Sequence, residues 1–333
     1  MTYSVGVRID RTFAPENIAP YARHLEQLGY DEAWVVEDLP FTGGISAAAL
    51  ALSATERMQV GVGIFASRVR TPAYLAMELA TLERVYPGRV VPGIGHGVQS
   101  WMQEVGERVA SPLTALQETV EIVSGLLAGE EVHVQGRYAS ADGVRLNRPP
   151  AVPPPVYAGV RGPKSLELAG RLCSGVLLAE PATPGFVARS KAVAQAAASA
   201  AGRADPQVAA YMWLSIDEDP RRAQASVREL LSENLADPEL PRQLHDLPFA
   251  AELAERLERA HTPHDRAAAL EPEWITQLGA IGTAQECAHA VEALAAAGVD
   301  RIILLPVPGR EPEQVTEFAH QVLPRLQRSH SSP

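Results

Sequence analysis

Short apolar runs rich in β-branched residues recur along the chain, and stretches with apolar residues at helical spacing separate them. Residues 3–8 (YSVGVR) lead into a helical pattern at 15–28, and 32–36 (EAWVV) into an alanine-rich one at 45–55. Residues 58–65 (MQVGVGIF) precede a helix opened by Pro72, whose missing N–H suits a first turn. A fourth run at 89–94 (RVVPGI) is followed by a helical stretch at 113–127. The rhythm resumes with strands at 156–159, 175–178, 207–216 and 300–305, and with helices at 163–172, 185–201, 220–234, 284–297 and 311–326. Eight strands, each followed by a helix, predict a parallel sheet, and eight such units predict a closed (β/α)8 TIM barrel over an open doubly wound sheet.

Two segments break the alternation. In 131–147, VHVQGRY and VRLN flank Asp142-Gly143, which predicts an appended hairpin with its turn at that dipeptide. Residues 237–273 are polar, helical in character and without strand signals, so they read as an insertion, either a lid over a pocket or an external decoration. The expected organisation is one barrel domain over 1–328, carrying both excursions, and a short tail at 329–333.

Composition narrows the class. A chain of 333 residues buries about 75% of its unfolded surface and needs no staple. Its 29 Lys and Arg against 40 Asp and Glu leave a net charge of −11, without a basic run. Nucleic acid and anionic membrane are therefore excluded as expected partners. Two cysteines, Cys173 and Cys287, rule out a disulfide scaffold and a Cys-rich zinc module. No apolar run reaches the roughly 18 residues of a membrane span, and the N-terminus lacks the pattern of a signal peptide. A cytoplasmic protein is expected.

In a barrel, chemistry sits on loops at the C-terminal strand ends. That rule brings Glu37, Asp38, Ala66, Ser67, His96, Arg161, Glu180 and Trp213 to one rim. The first cluster there is Gly93-Ile94-Gly95-His96-Gly97, whose glycines allow either close approach of a ligand or a sharp turn. His96 reads as a catalytic group or as a hydrogen-bonded loop residue. The second is Arg161-Gly162-Pro163-Lys164-Ser165, which opens a helix after a strand. Free N–H groups, the helix dipole and two cations make it an anion site suited to a phosphate, against the plainer reading of a solvated basic turn. The third, Glu37-Asp38, reads as a pair that orients a cofactor ring or acts as acid and base, or as a surface loop pair. No metal motif, no GxSxG and no P-loop lysine is present, and the cysteines fall in or beside helices. A bound organic cofactor is then the natural supplier of chemistry.

The segments GYDEAWVVEDLPF (29–41), VGVGIFASRVRTPAYLAMELATLERVYPGRVVPGIGHG (60–97), PVYAGVRGPKSLELAG (155–170) and GVDRIILLP (298–306) carry a resemblance across nearly the whole chain. In their order they resemble the luciferase-like superfamily of flavin- and deazaflavin-dependent oxidoreductases. The best match is the branch of coenzyme F420-dependent enzymes that includes methylenetetrahydromethanopterin reductase and the deazaflavin-dependent glucose-6-phosphate dehydrogenase. The resemblance implies a ring lying in the barrel mouth against Gly63, Ile64, Gly95, His96 and Gly97, with a non-proline cis peptide at Gly63-Ile64 supporting it. It implies a cofactor phosphate at Gly159, Val160, Arg161, Gly162, Pro163, Lys164 and Ser165, in agreement with the anion site above. Glu37 falls on the family's acidic ring-contacting position. Asp38 stands where histidine is common, and Val98 where the sugar-phosphate enzyme has glutamate, so that substrate is not implied.

The leading expectation is an oxidoreductase that moves a hydride between F420 and a small organic substrate. Glu37, Asp38 or His96 would orient the ring or exchange a proton, and Phe65, Ser67, Trp101, Glu180 and Trp213 would wall the substrate pocket. The alternative is an FMN-dependent monooxygenase using reduced flavin and oxygen, and a third reading is a barrel that binds without turnover. The resemblance also implies a homodimer, and the helices at 45–54 and 72–85 read either as its packing faces or as packed only on their own barrel.

Overall fold

A computed structural model describes residues 3–235 and 241–327. Residues 237–240 of the expected insertion, residue 328 and the expected tail at 329–333 lie outside the described residues. The barrel strands and their helices alternate as β1 (Ser4–Arg8), α1 (Pro15–Gln27), β2 (Glu32–Val35), α2 (Gly44–Ala54), β3 (Gln59–Ala66), α3 (Pro72–Val85) and β4 (Val90–Gly95). Then come α4 (Gln99–Glu104), α5 (Pro112–Leu127), β5 (Val132–Gln135), β6 (Ser140–Val144), β7 (Tyr157–Gly159), α6 (Pro163–Leu172), β8 (Gly175–Leu178), α7 (Pro184–Ala200), β9 (Gln207–Ile216) and α8 (Pro220–Asn234). Four short helices follow, α9 (Pro241–Leu244), α10 (Ala250–Glu258), α11 (Pro263–Ala268) and α12 (Pro272–Ile275). The described chain closes with β10 (Gly279–Gly282), α13 (Ala284–Ala296), β11 (Arg301–Pro306) and α14 (Glu311–Gln321). The sheet order β11-β1-β2-β3-β4-β7-β8, with β9 joined to both β8 and β11, is that of a (β/α)8 barrel.

Local chemistry accounts for these elements. Proline occupies the first turn of α1, α3, α5, α6 and α8, where no N–H is needed. β2, β4 and β8 are buried at every position. Covered on both faces, such parallel strands read as continuous apolar runs without alternation.

By contacts the chain divides into two compact units. One comprises residues 1–7, 178–191 and 208–333, and holds parallel pairings of β1 with β11 and of β9 with both β11 and β10. β10 is a ninth strand in the main sheet, beyond the eight expected. Its sequence, GAIG, has neither the length nor the bulk of a strand signature. Its first residue fits because a Cβ at Gly279 would stand 2.6 Å from the Trp213 carbonyl oxygen.

The other unit comprises residues 8–177 and 192–207, and pairs β2–β3–β4–β7–β8 in parallel. It also carries the antiparallel ribbon β5–β6. The turn of that ribbon is not at Asp142-Gly143, which lie within β6, but at residues 136–139. Glu118 of α5 decides this: its carboxylate accepts the N–H groups of Arg137, Tyr138 and Ala139 at 2.7, 2.8 and 2.9 Å. Gly143 instead takes φ 67° at a register shift in the ribbon. α4 is a further departure, a short helix between the expected strand at 89–94 and the expected helix at 113–127.

Candidate active site

The second unit contains an interrupted strand beside two glycine-rich strand ends. In β3 the pairing with β4 shifts register between Val62 and Phe65, and the intervening Gly63–Ile64 peptide is cis. Val62 and Phe65 are fully buried, whereas Gly63 and Ile64 reach solvent. The Ile64 side chain lies over glycines of β4 and of β7, the strand beyond it. A Cβ at Gly93, Gly95 or Gly159 would stand 3.2, 3.1 or 2.4 Å from an Ile64 side-chain carbon. Glycine is required at 159 for that reason, since no flexible chain end is available to give way.

The β4–β7 register, with Gly95 opposite Gly159, brings GIGHG alongside the segment that opens α6. The N-cap of α6 is Gly162, which supplies no side-chain acceptor, and Pro163 follows in the first turn. Lys164 is exposed, Arg161 and Ser165 are half-buried, and Val160 is buried with its N–H donated to the Leu177 carbonyl at 3.3 Å. His96 Nε2 lies 2.9 Å from Ser165 Oγ, so two residues taken from separate motifs form one contact. Burial pushes the His96 imidazole below its usual pKa, with the Pro112 backbone opposing the shift.

Glu37 and Asp38 are adjacent in sequence but serve different partners. Arg70, on the loop after β3, grips Glu37 in a fork, Nη1 to Oε2 at 2.8 Å and Nη2 to Oε1 at 2.7 Å. Glu37 Oε1 also accepts the Gly44 N–H at 3.0 Å, at the start of α2. Asp38 meets Arg11 at 3.4 Å on the surface. The two carboxylates therefore do not form an acid–base couple. Sequence reading missed Arg70, although it stands in SRVRTP directly after a barrel strand.

Of the expected pocket walls, Trp101 lies on α4 and is half-buried. Phe65 and Ser67 are 0% and 3% exposed and are packed inside the unit, so they do not face open space. In the first unit, Trp213 lies within β9, not at its end, and is 2% exposed, packed into the core. Glu180 in that unit is half-buried and precedes a cis proline, Pro181. Gln243 of α9 holds this segment by donating Nε2 to the Ala179 carbonyl at 2.8 Å. Among the described residues no cluster of His, Cys, Asp or Glu is arranged to hold a metal ion, and no helix is long and apolar enough to cross a membrane.

Parallel β/α alternation, an interrupted third strand and an α6 that starts at Gly162 without a side-chain cap define a class of barrel, and comparison with known proteins gives it a family. The chain belongs to the luciferase-like monooxygenase family, whose model matches residues 2–301. It is 32% identical over 238 residues to 5,10-methylenetetrahydromethanopterin reductase of Methanolobus tindarius, covering 70% of this chain and 72% of that protein. It is 30% identical over 233 residues to the F420-dependent glucose-6-phosphate dehydrogenase of Nakamurella multipartita, covering 65% and 68%. The solved structure of coenzyme F420-dependent tetrahydromethanopterin reductase from Methanopyrus kandleri superposes with TM-score 0.83 at 22% identity, covering 98% of this chain and 100% of that one. An FMN complex of the oxygenating constituent of 3,6-diketocamphane monooxygenase from Pseudomonas putida shares the fold at TM-score 0.71 and 15% identity, covering 99% and 100%.

Proposed function

We propose that the protein is an F420-dependent oxidoreductase that transfers a hydride between the deazaflavin and a small organic substrate. The observation that carries this reading is the start of α6, with no side-chain cap and with Arg161, Lys164 and the Ser165 hydroxyl beside it. Support for deazaflavin over flavin comes from the names of the relatives at 30% and 32% identity.

The residues present fit such a cofactor. Gly95 and Gly159 make room for the Ile64 side chain, and Gly63 and Ile64 are accessible between buried neighbours. Arg161, Gly162, Lys164 and Ser165 would hold the phosphate through N–H, O–H and cationic groups. The bulge at Gly63-Ile64 would support the ring. When bound, the deazaflavin supplies a ring carbon that gives or accepts a hydride and does not activate oxygen. The chain's task is then to hold substrate and ring in contact and exclude water. His96 would serve by orienting Ser165 toward the phosphate.

Equilibrium titration of the purified protein with F420 and separately with FMN, read by intrinsic fluorescence, tests the reading. Preference for F420 is expected, and Lys164→Glu should weaken it by about ten-fold or more, the scale of one charge-assisted hydrogen bond. Folding should be unaffected, because Lys164 is exposed. Preference for FMN with oxygen uptake on turnover would replace this function by a monooxygenase. Unchanged affinity in Lys164→Glu would remove the phosphate site.

We also propose a homodimer formed through α2 and α3 in a cytoplasmic setting. Leu50, Tyr74, Met77 and Val85 of these helices are 39%, 65%, 50% and 61% exposed. Sedimentation equilibrium should give twice the chain mass, and Met77→Glu with Tyr74→Glu should return it to the monomer.

A further inference from the structure

The carboxylate that family resemblance places at the ring is already engaged from three sides. Glu37 Oε1 accepts from Arg70 Nη2 and the Gly44 N–H, and Oε2 accepts from Arg70 Nη1. The guanidinium is itself held on its far side, its Nε 3.5 Å from Glu78 of α3. Its Cζ lies 5.3 Å from the Phe65 ring centroid. Around the Gly44 position, Phe65 Cε1, Glu37 Cβ and Val62 Cγ1 converge to 3.0, 3.1 and 3.2 Å from where a Cβ would stand. Val62 and Phe65 are the residues between which β3 shifts register. The guanidinium therefore lies over one shoulder of the bulge, and Gly44, bound to Glu37, sits against both, while Ile64 between them rests on the glycines of β4 and β7.

We propose that Arg70 is a positioning residue of the site, which holds the β3 bulge by gripping Glu37 and covering Phe65. The fork is a geometry that a planar guanidinium meets and an ammonium does not. The side chains of Glu37 and Arg70 are only 12% and 22% exposed, so solvent does little to loosen the pair. The inference rests on the deazaflavin reading above and assigns the ring-end support that the reading requires.

A double-mutant cycle on the purified full chain tests it, with Arg70→Met, Arg70→Lys, Glu37→Gln and the combination Glu37→Gln/Arg70→Met. Each variant is titrated with oxidised F420 and with its phosphate-free deazaflavin form, and the absorption maximum of the bound ring is recorded. Arg70→Met and Glu37→Gln are each expected to weaken both ligands by roughly ten-fold and by the same factor, with a shifted absorption maximum. The double variant should be no weaker than the worse single one, as for two residues acting as a unit. Arg70→Lys should stay nearer to Arg70→Met than to the wild type. Wild-type affinity and absorption in Arg70→Met, losses that multiply, or a loss confined to the phosphorylated ligand would each overturn the inference. A lower melting temperature with unchanged affinity of the folded protein would overturn it too. If Arg70→Met does not fold, Arg70→Lys and Glu37→Gln decide by the same criteria. Failure of the wild type to bind either deazaflavin would overturn the proposed function and this inference together, whereas binding unaffected by the variants overturns the inference alone.

Discussion

At position 159 one hydrogen atom separates a working strand contact from a collision. A Cβ there would stand 2.4 Å from Ile64 Cγ2, the branch methyl next to the Ile64 backbone, so the cis segment itself must shift to relieve it. Gly159→Ala should therefore displace the bulge. The expected outcome is loss of deazaflavin affinity together with about 1–3 kcal/mol of stability, the usual cost of overpacking. Titration combined with urea unfolding checks it, and full affinity in the variant would show that the bulge does not support the ring. At this scale the sequence was informative where a residue acts through its own chemistry. Lys164 and Arg161 are cations at a helix start in any fold that forms that helix. It was uninformative where a residue acts through what it touches: Ser165 reads as a cap or a donor until His96, 69 positions away, is found 2.9 Å from it.

Among the elements, the β5–β6 ribbon is the case in which local signals misled. Asp-Gly is a strong hairpin signal, yet here Gly143 serves a register shift inside β6. The turn forms at residues 136–139 because Glu118 gathers three N–H groups at residues 137–139, bonds that no local pattern announces. Arg68 adds a hydrogen bond to the Tyr138 carbonyl at 2.5 Å and pairs with Glu107 at 2.9 Å, tying the ribbon to the loops after β3 and β4. Glu118→Ala strands these donors in a partly buried turn. It should cost about 2–4 kcal/mol, since each unsatisfied buried donor carries about 1–3 kcal/mol, and chemical denaturation with the wild type as reference measures it. A loss below about 0.5 kcal/mol would mean that water replaces Glu118 without penalty. The barrel helices, in contrast, were legible to within a residue or two, except that α14 stops at Gln321 and not at 326, because proline starts and apolar periodicity are local properties.

For the molecule as a whole, the response to acid follows from carboxylates that hold their anionic form in the fold. Burial alone would raise Asp10, but Arg8 and the Thr12 bonds outweigh it and bring its pKa below the usual value. Burial would likewise raise Glu26, and the N–H groups of Arg57, Glu56 and Met58 reverse that. A group that binds its proton less tightly when folded stabilises the native state above its unfolded pKa. That contribution fades as pH falls through the lower folded value. The melting temperature should therefore drop on going from about pH 5 to pH 3, across the ordinary carboxylate range. Glu26→Gln should show a shallower drop than the wild type; an identical slope would remove Glu26 from the acid response.

The alternation of strands and helices, the acidic surface and the cationic helix start follow from residue chemistry and short-range spacing, so they could be read along the chain. The family resemblance also located the Gly63-Ile64 peptide. Three features arose from folding alone: the fork between Glu37 and Arg70, 33 residues apart, the contact of His96 with Ser165, and the addition of β10 to β9. Each depends on chain closure bringing distant groups within a few ångströms. The sign and geometry of such contacts are set by packing around them, which local periodicity does not encode.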